Sequence, residues 1–264
     1  MATILDQLAE YARERVAADK ASLSLDALKR LIAEGAVPTR EPFVFEATLR
    51  KPGLSFICEI KKASPSKGII SEEFPYLDIA REYECAGADA ISCLTEPKWF
   101  LGNDQIFREV RETVSVPMIR KDFTVDEYQI YQAKCMGADA VLLICAILDD
   151  KTIARFLELC DQLGLSALVE AHDAQELAMA VRAGARIIGV NNRNLMDFSV
   201  DTANSRRLRA LAPEGVLFVS ESGIQTAQDV KQLQESGVDA VLIGESLMRA
   251  KDKRAMLNEF RGVL

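Results

Sequence analysis

Apolar residues Ile4, Leu5, Leu8, Tyr11, Ala12 and Val16 recur at the three-and-four spacing of an amphipathic helix, and positions 23–32 give a second stretch of the same kind. From Gly35 through Lys51, Pro52 and Gly53 the chain is rich in Pro and Gly and reads as a loop. Beyond it the pattern changes to short apolar runs alternating with longer amphipathic ones. Eight strands are predicted, at 56–61, 90–94, 118–121, 140–145, 167–170, 187–191, 217–220 and 240–243, with helices filling the gaps. An internal echo supports this reading: GADA at 87 and 137, GARI at 184 and GVDA at 237 each join a helix end to the next strand. A Gly there ends a helix in the left-handed conformation and lets the chain turn tightly into the sheet. The echo therefore speaks for architecture and not for chemistry.

Repeated βα units close into a barrel or form an open doubly wound sheet, and strand counting does not separate the two. The placement of polar residues does. In a barrel both strand faces are covered, so polar groups within strands collect at the C-terminal ends, where active sites lie. Glu59 and Lys61, Lys121, Glu170, Asn191 and Arg193, and Glu221 and Ser222 all fall there. The length of 264 residues suits one such barrel, which typically takes roughly 250. The expected fold is an α/β (β/α)8 TIM barrel with extra N-terminal helices. It forms a single domain over 1–264, with 1–50 as the helical extension.

Charge and composition narrow the function. A net charge of -8 and a pI near 5.0 repel phosphate backbones and anionic lipid, so neither nucleic acid nor a membrane is an expected partner. An anionic ligand must be held by local devices such as backbone N–H groups and a few placed cations. The six cysteines contain no closely spaced pair and read as buried, reduced thiols. With one histidine, His172, neither a metal site nor a histidine-based hydrolase triad finds support. The N-terminal segment lacks an apolar signal core, and a cytoplasmic location is expected.

The strand period of two sorts the polar residues by face. In FICEIKK, Phe56, Cys58 and Ile60 share the face suited to helices, while Ile57, Glu59 and Lys61 share the other. Charges at the barrel mouth are expensive unless they pair with each other or meet a ligand. Lys121 lies on the inward parity with Ile119. Desolvation and neighbouring cations would lower its pKa and suit it to act as general acid or as Schiff-base nucleophile. Glu170, on the parity of Leu168, reaches the mouth from another direction and could serve as base. His172, two residues on, reads first as a local hydrogen-bonding group. Asn191 and Arg193 offer an amide and a guanidinium for hydroxyl or carboxylate contacts, whereas Asn192 and Asn194 fit a turn as readily as a site. Gly223 in SESGI and Gly244 in IGESL stand where backbone N–H groups cradle a phosphate in many barrels.

With EIKKASPSKG, LTEPKWF, RKDF, LLICAIL, LVEAH, GVNNRNL, SESGI and IGESLM in this order and spacing, the chain resembles the indole-3-glycerol-phosphate synthases, in their monofunctional form. The resemblance covers nearly the whole chain. It implies a lyase that closes 1-(2-carboxyphenylamino)-1-deoxyribulose 5-phosphate to indole-3-glycerol phosphate with loss of carbon dioxide and water, by acid/base chemistry without cofactor or metal. It also implies Lys121 as the acid for ring closure and Glu170 as base, with Lys61 and Glu59 close to the same atoms. The individual proton transfers of dehydration stay open among Glu59, Lys61 and Glu170. Ser64, Ser222, Gly223, Gly244 and Glu245 match the phosphate site, with Glu221 among the substrate-binding residues. Asn191 and Arg193 match the groups around hydroxyl and carboxylate, and Phe100, Phe123, Leu142 and Leu195 match the apolar wall. Glu245 departs from the serine of some relatives, and a carboxylate beside a phosphate is repulsive unless it turns away. The expected partner is the small phosphorylated substrate, the chain being a monomer or weak homo-oligomer with possible contact to other tryptophan-pathway enzymes. Two other readings remain: a lysine-dependent aldolase using Lys121, and a phosphate-binding scaffold without activity.

Overall fold

The computed structural model describes residues 3–194 and 198–262. Its strands are β1 (Ser55–Ile60), β2 (Ala63–Ser64), β3 (Gly68–Ile69), β4 (Ala90–Leu94), β5 (Met118–Lys121), β6 (Ala140–Ile144), β7 (Ser166–Ala171), β8 (Ile187–Asn191), β9 (Leu217–Glu221) and β10 (Ala240–Ile243). Eight of them form a closed parallel barrel in the order β1-β10-β9-β8-β7-β6-β5-β4, while β2 and β3 make a small antiparallel hairpin after β1. The helices before the barrel are α1 (Ile4–Ser22), α2 (Leu25–Ala33) and α3 (Val44–Leu49). Those around it are α4 (Tyr76–Cys85), α5 (Asp104–Thr113), α6 (Glu127–Cys135), α7 (Asp150–Leu163), α8 (Ala174–Arg182), α9 (Ala203–Arg209), α10 (Ala227–Glu235), α11 (Glu245–Arg249) and α12 (Lys253–Phe260).

Strand parity divides the core in two. Phe56, Cys58 and Ile60 join the layer between barrel and helices, while Ile57, Ile119, Leu142, Leu168, Val219 and Leu242 fill the barrel. The interior is thus packed with side chains, and its charged groups are left at one end. The segment 35–53, expected as loop, contains α3, whose Phe45 and Leu49 belong to the barrel-interior cluster. The Glu46 amide donates to Ser166 Oγ at the first residue of β7, so α3 plugs the N-terminal end of the barrel. Helix α1 lies over the opposite end. It begins at a Thr3–Asp6 capping box, and its Leu5, Leu8 and Ala12 pack with Phe123. Arg15 clamps it to Asp122, just past β5, at 2.6 Å. One of the expected buried thiols, Cys85, is exposed, because it ends α4 on the outer side.

The echoed motif does more than turn the chain. Asp89, Asp139 and Asp239 each accept a backbone N–H from the first or second residue of a neighbouring strand, from Phe56, Met118 and Phe218 at 2.8, 2.8 and 2.7 Å. The same three aspartates return their own N–H to the carbonyls of those residues. Each carboxylate therefore pins the lower edge of one strand pair. Asp139, fully buried, also takes the part-exposed Arg40 at 2.8 Å and the buried Arg111 at 3.0 Å. Asp139→Ala leaves a buried guanidinium unpaired and is expected to cost about 3–5 kcal/mol. Asp89→Ala, at a part-exposed site, is expected to cost about 1 kcal/mol. Urea unfolding of both variants checks the order, and equal losses would remove the special weight given to Asp139.

Candidate active site

At the C-terminal end of the barrel the inward positions carry charge. Lys121 closes β5 with its Nζ 2.8 Å from Glu221 Oε2 on β9 and 3.1 Å from Glu170 Oε2 on β7. Across the mouth Lys61 pairs with Glu59, and Ser92 Oγ on β4 donates to the other Glu59 oxygen at 3.3 Å. Glu59, Lys121, Glu170 and Glu221 are all buried, so these groups interact in a desolvated setting.

The environment splits the groups by protonation state. Burial works against the Lys121 charge, but Glu221, Glu170 and Glu59 outweigh it and hold the ammonium well above the usual lysine range. The lowering expected for this lysine does not occur, because carboxylates and not cations surround it. The charged form these carboxylates favour is the one suited to donating a proton. Glu221 is pushed up to about 7, by burial first and then by the Glu170 charge, against the pull of Lys121. Burial also raises Glu170, yet Lys121, His172 and a hydrogen bond with Asn191 more than offset it and bring it below the ordinary carboxylate range. One ammonium is thus flanked by an ionised carboxylate and a protonatable one.

Gly189 makes room for this pair. A Cβ there would stand 2.2 Å from Glu221 Oε1, and one at Gly244 would stand 2.5 Å from Glu59 Oε1 and 2.8 Å from Lys61 Nζ. Both glycines are demanded by the charged side chains and not by their own backbone angles.

A cavity of about 620 Å³ opens over the charged cluster. Every sequence-predicted site residue that the structure describes lines it: Glu59, Lys61, Ser64, Phe100, Lys121, Phe123, Leu142, Glu170, Asn191, Arg193, Glu221, Ser222, Gly223, Gly244 and Glu245. Leu195 lies outside the described residues. Phe100 and Phe123 form one wall with ring centroids 6.1 Å apart, and Ile4 and Leu8 of α1 extend it. These two residues were missed by reading the N-terminal helices as preceding the repeat; helical periodicity shows that a face is apolar, not what it covers. Glu96 was missed as well. Its buried carboxylate accepts the N–H groups of Lys98, Trp99 and Phe100 at 2.8–2.9 Å and so fixes the turn that carries Phe100.

On the other side of the cavity Ser222 and Gly223 both adopt left-handed backbone, with φ of 66° and 81°. Asn192 holds this turn by donating to the Ser222 carbonyl and Ser220 Oγ, each at 3.1 Å, and its own oxygen accepts from Ser205. Asn192 therefore serves the fold, as the turn reading allowed. The Glu245 carboxylate has not turned from the cavity. Arg249 at 3.3 Å, Lys67 at 3.5 Å and Arg193 at 4.0 Å surround it and offset its charge.

Among known proteins, the family model described as Indole-3-glycerol phosphate synthase matches residues 5–260. The indole-3-glycerol phosphate synthase of Ruminiclostridium cellulolyticum is 55% identical over 259 residues, covering 98% of this chain and 99% of the relative. That of Lachnoclostridium phytofermentans is 47% identical, covering 99% of this chain and 100% of the relative. The solved thiamine phosphate pyrophosphorylase from Pyrococcus furiosus superposes with a TM-score of 0.59 at 18% identity, over 80% of this chain and 94% of that one, a likeness of fold alone.

Gly189→Ala is expected to keep the barrel intact while displacing Glu221, and with it Lys121. A displacement near 1 Å at the reacting centre costs about a hundredfold in kcat/KM. Steady-state kinetics beside a circular dichroism spectrum test this; a folded variant of unchanged activity would mean that Glu221 need not hold this position.

Proposed function

The chain belongs to the indole-3-glycerol phosphate synthase family, and from that premise we propose how its own side chains divide the reaction. The enzyme is a carboxy-lyase that converts 1-(2-carboxyphenylamino)-1-deoxyribulose 5-phosphate to indole-3-glycerol phosphate, releasing carbon dioxide and water. The observation that carries the proposal is the Lys121 ammonium seated between two carboxylates of unlike proton affinity.

Ring closure requires the aromatic carbon that bears the carboxylate to attack the ketone. The anilino nitrogen pushes electrons into the ring, and the carbonyl oxygen must gain a proton as it becomes a hydroxyl. Lys121, held charged, is that donor. Loss of carbon dioxide returns the bonding pair to the ring and restores its aromaticity, so no separate electron sink is needed. The hydroxyl formed at Lys121 is the one that later departs, so the groups in contact with Lys121 are those placed to handle it. Glu221, which retains a proton near neutrality, gives it to the departing hydroxyl, and ionised Glu170 takes the proton released as the indole forms. Lys61 and Glu59 orient the intermediate from the opposite wall.

Binding follows the same division of the cavity. The backbone at Ser222, Gly223, Gly244 and Glu245, with the Ser64 hydroxyl, receives the phosphate. Arg193 and Asn191 meet the substrate carboxylate and hydroxyl, and the ring lies against Phe100, Phe123 and Leu142, with Ile4 and Leu8 beyond. The three cations around Glu245 keep its carboxylate from opposing the phosphate. A cytoplasmic location and a monomeric or weakly associating state, with contact to neighbouring enzymes of the pathway, complete the proposal; the free thiols fit a reducing compartment.

Lys121→Ala is expected to slow ring closure by about 10² to 10⁴, with little intermediate accumulating. Glu170→Gln keeps size and most hydrogen bonding but cannot accept a proton, so in a single turnover carbon dioxide release should outrun indole fluorescence. Equal slowing of the two signals in the Glu170 variant would refute the division of labour. Because Glu221 must carry a proton for dehydration, which follows the loss of carbon dioxide, kcat should decline as pH rises through about 7. A rate that stays level to pH 9 would remove Glu221 as acid.

A further inference from the structure

Lys121 alone does not explain why Glu170 and Glu221 differ, since it contacts both. An Asn191 hydrogen bond to Glu170 is one difference, and the second oxygen of each carboxylate is the other. Glu221 Oε1 is buried without a hydrogen-bond partner, whereas Glu170 Oε1 lies 3.4 Å from Nε2 of His172. That nitrogen is itself buried and has no hydrogen-bond partner, so nothing else competes for it. The other ring nitrogen, Nδ1, sits 3.0 Å from Glu176 Oε2 on α8, and the His172 amide donates to the same oxygen at 2.7 Å. Asn204 of α9 fixes the residue from behind by donating to its carbonyl at 3.0 Å. Ring and backbone are thereby locked with one nitrogen aimed at the base.

We propose that His172, oriented by Glu176, is a positioning residue that bridges Glu176 and Glu170 as an imidazolium and makes Glu170, rather than Glu221, the ionised partner of Lys121. The charged and titratable groups facing the ring are Glu170 on β7, Glu176 on α8 and Glu221 on β9, with Lys121 of β5 bound to Glu170 and Glu221 and Cys145 of the turn after β6 against the Glu176 carbonyl. Three carboxylates against one ammonium favour the protonated ring, and its raised affinity for a proton, despite burial, agrees with this. The effect has a definite sign. While His172 is charged, Glu170 stays ionised to lower pH; once His172 loses its proton, that support ends. His172 is placed to act through the carboxylate nearest its free nitrogen, Glu170.

This inference rests on Glu170 acting as base. The test is the pH profile of kcat, which includes the dehydration step that follows loss of carbon dioxide, for His172→Gln and, as a milder change at the protein edge, Glu176→Gln. Both should move the acidic limb upward, by about one pH unit for His172→Gln and less for Glu176→Gln. At the alkaline end each profile should rejoin that of the parent enzyme, with KM little altered. A merely structural role would lower the profile by the same factor at every pH, and profiles parallel to the parent for both folded variants would overturn the proposal. Glu170→Gln separates the two layers of inference: if its residual activity keeps the acidic limb, the base assignment has failed, whatever the histidine does.

Discussion

One desolvated ammonium organises the active face. Lys121 stands at the end of an apolar strand, where an isolated charge would be expensive, and three carboxylates keep it charged. The same surroundings give its two carboxylate partners unlike proton affinities: Glu221 is pushed up to about 7, while Glu170 is brought below the ordinary carboxylate range. This inequality is what the proposed division into an acid and a base draws on.

The scaffold permits this because the closed barrel separates apolar and polar layers along each strand. Ile57, Ile119 and Leu168 fill the interior two residues below Glu59, Lys121 and Glu170. A packed layer under the charges denies them water from below and fixes their strands. Helix α3 seals the far end, while α1 lends its apolar stripe to the open one. The aspartates of the repeated motif hold the strand starts from which the charged residues are measured off. Glycine at 189 and 244 then supplies the space that two long carboxylates require.

Much of this was legible in the sequence. A period of two identifies the inward residue of each strand, and the inward residues near the strand ends did converge on one cavity. Strand ends moved by a residue or so: β1 runs over Ser55–Ile60 and β6 over Ala140–Ile144, since pairing with a staggered neighbour, not polarity, decides where a strand stops. Helix α3 was hidden because six residues carry too little periodicity to register, and its burial comes from a barrel end that does not exist until the sheet closes. The direction of the Lys121 shift was hidden for a similar reason. Its partners are 49 and 100 residues away in the chain, so their sign could not be counted from its neighbours. The aspartates of the echo show a different gap: the glycine accounted for the turn so fully that the repeated carboxylate went unread.

The central claim concerns where one proton resides. Carbon-13 NMR of the glutamate side-chain carboxylates, assigned with Glu170→Gln and Glu221→Gln, reads that directly across pH. Glu221 should titrate near 7 while Glu170 remains ionised to below the ordinary carboxylate range. Two carboxylates titrating together in the ordinary range, or a reversed order, would contradict the account.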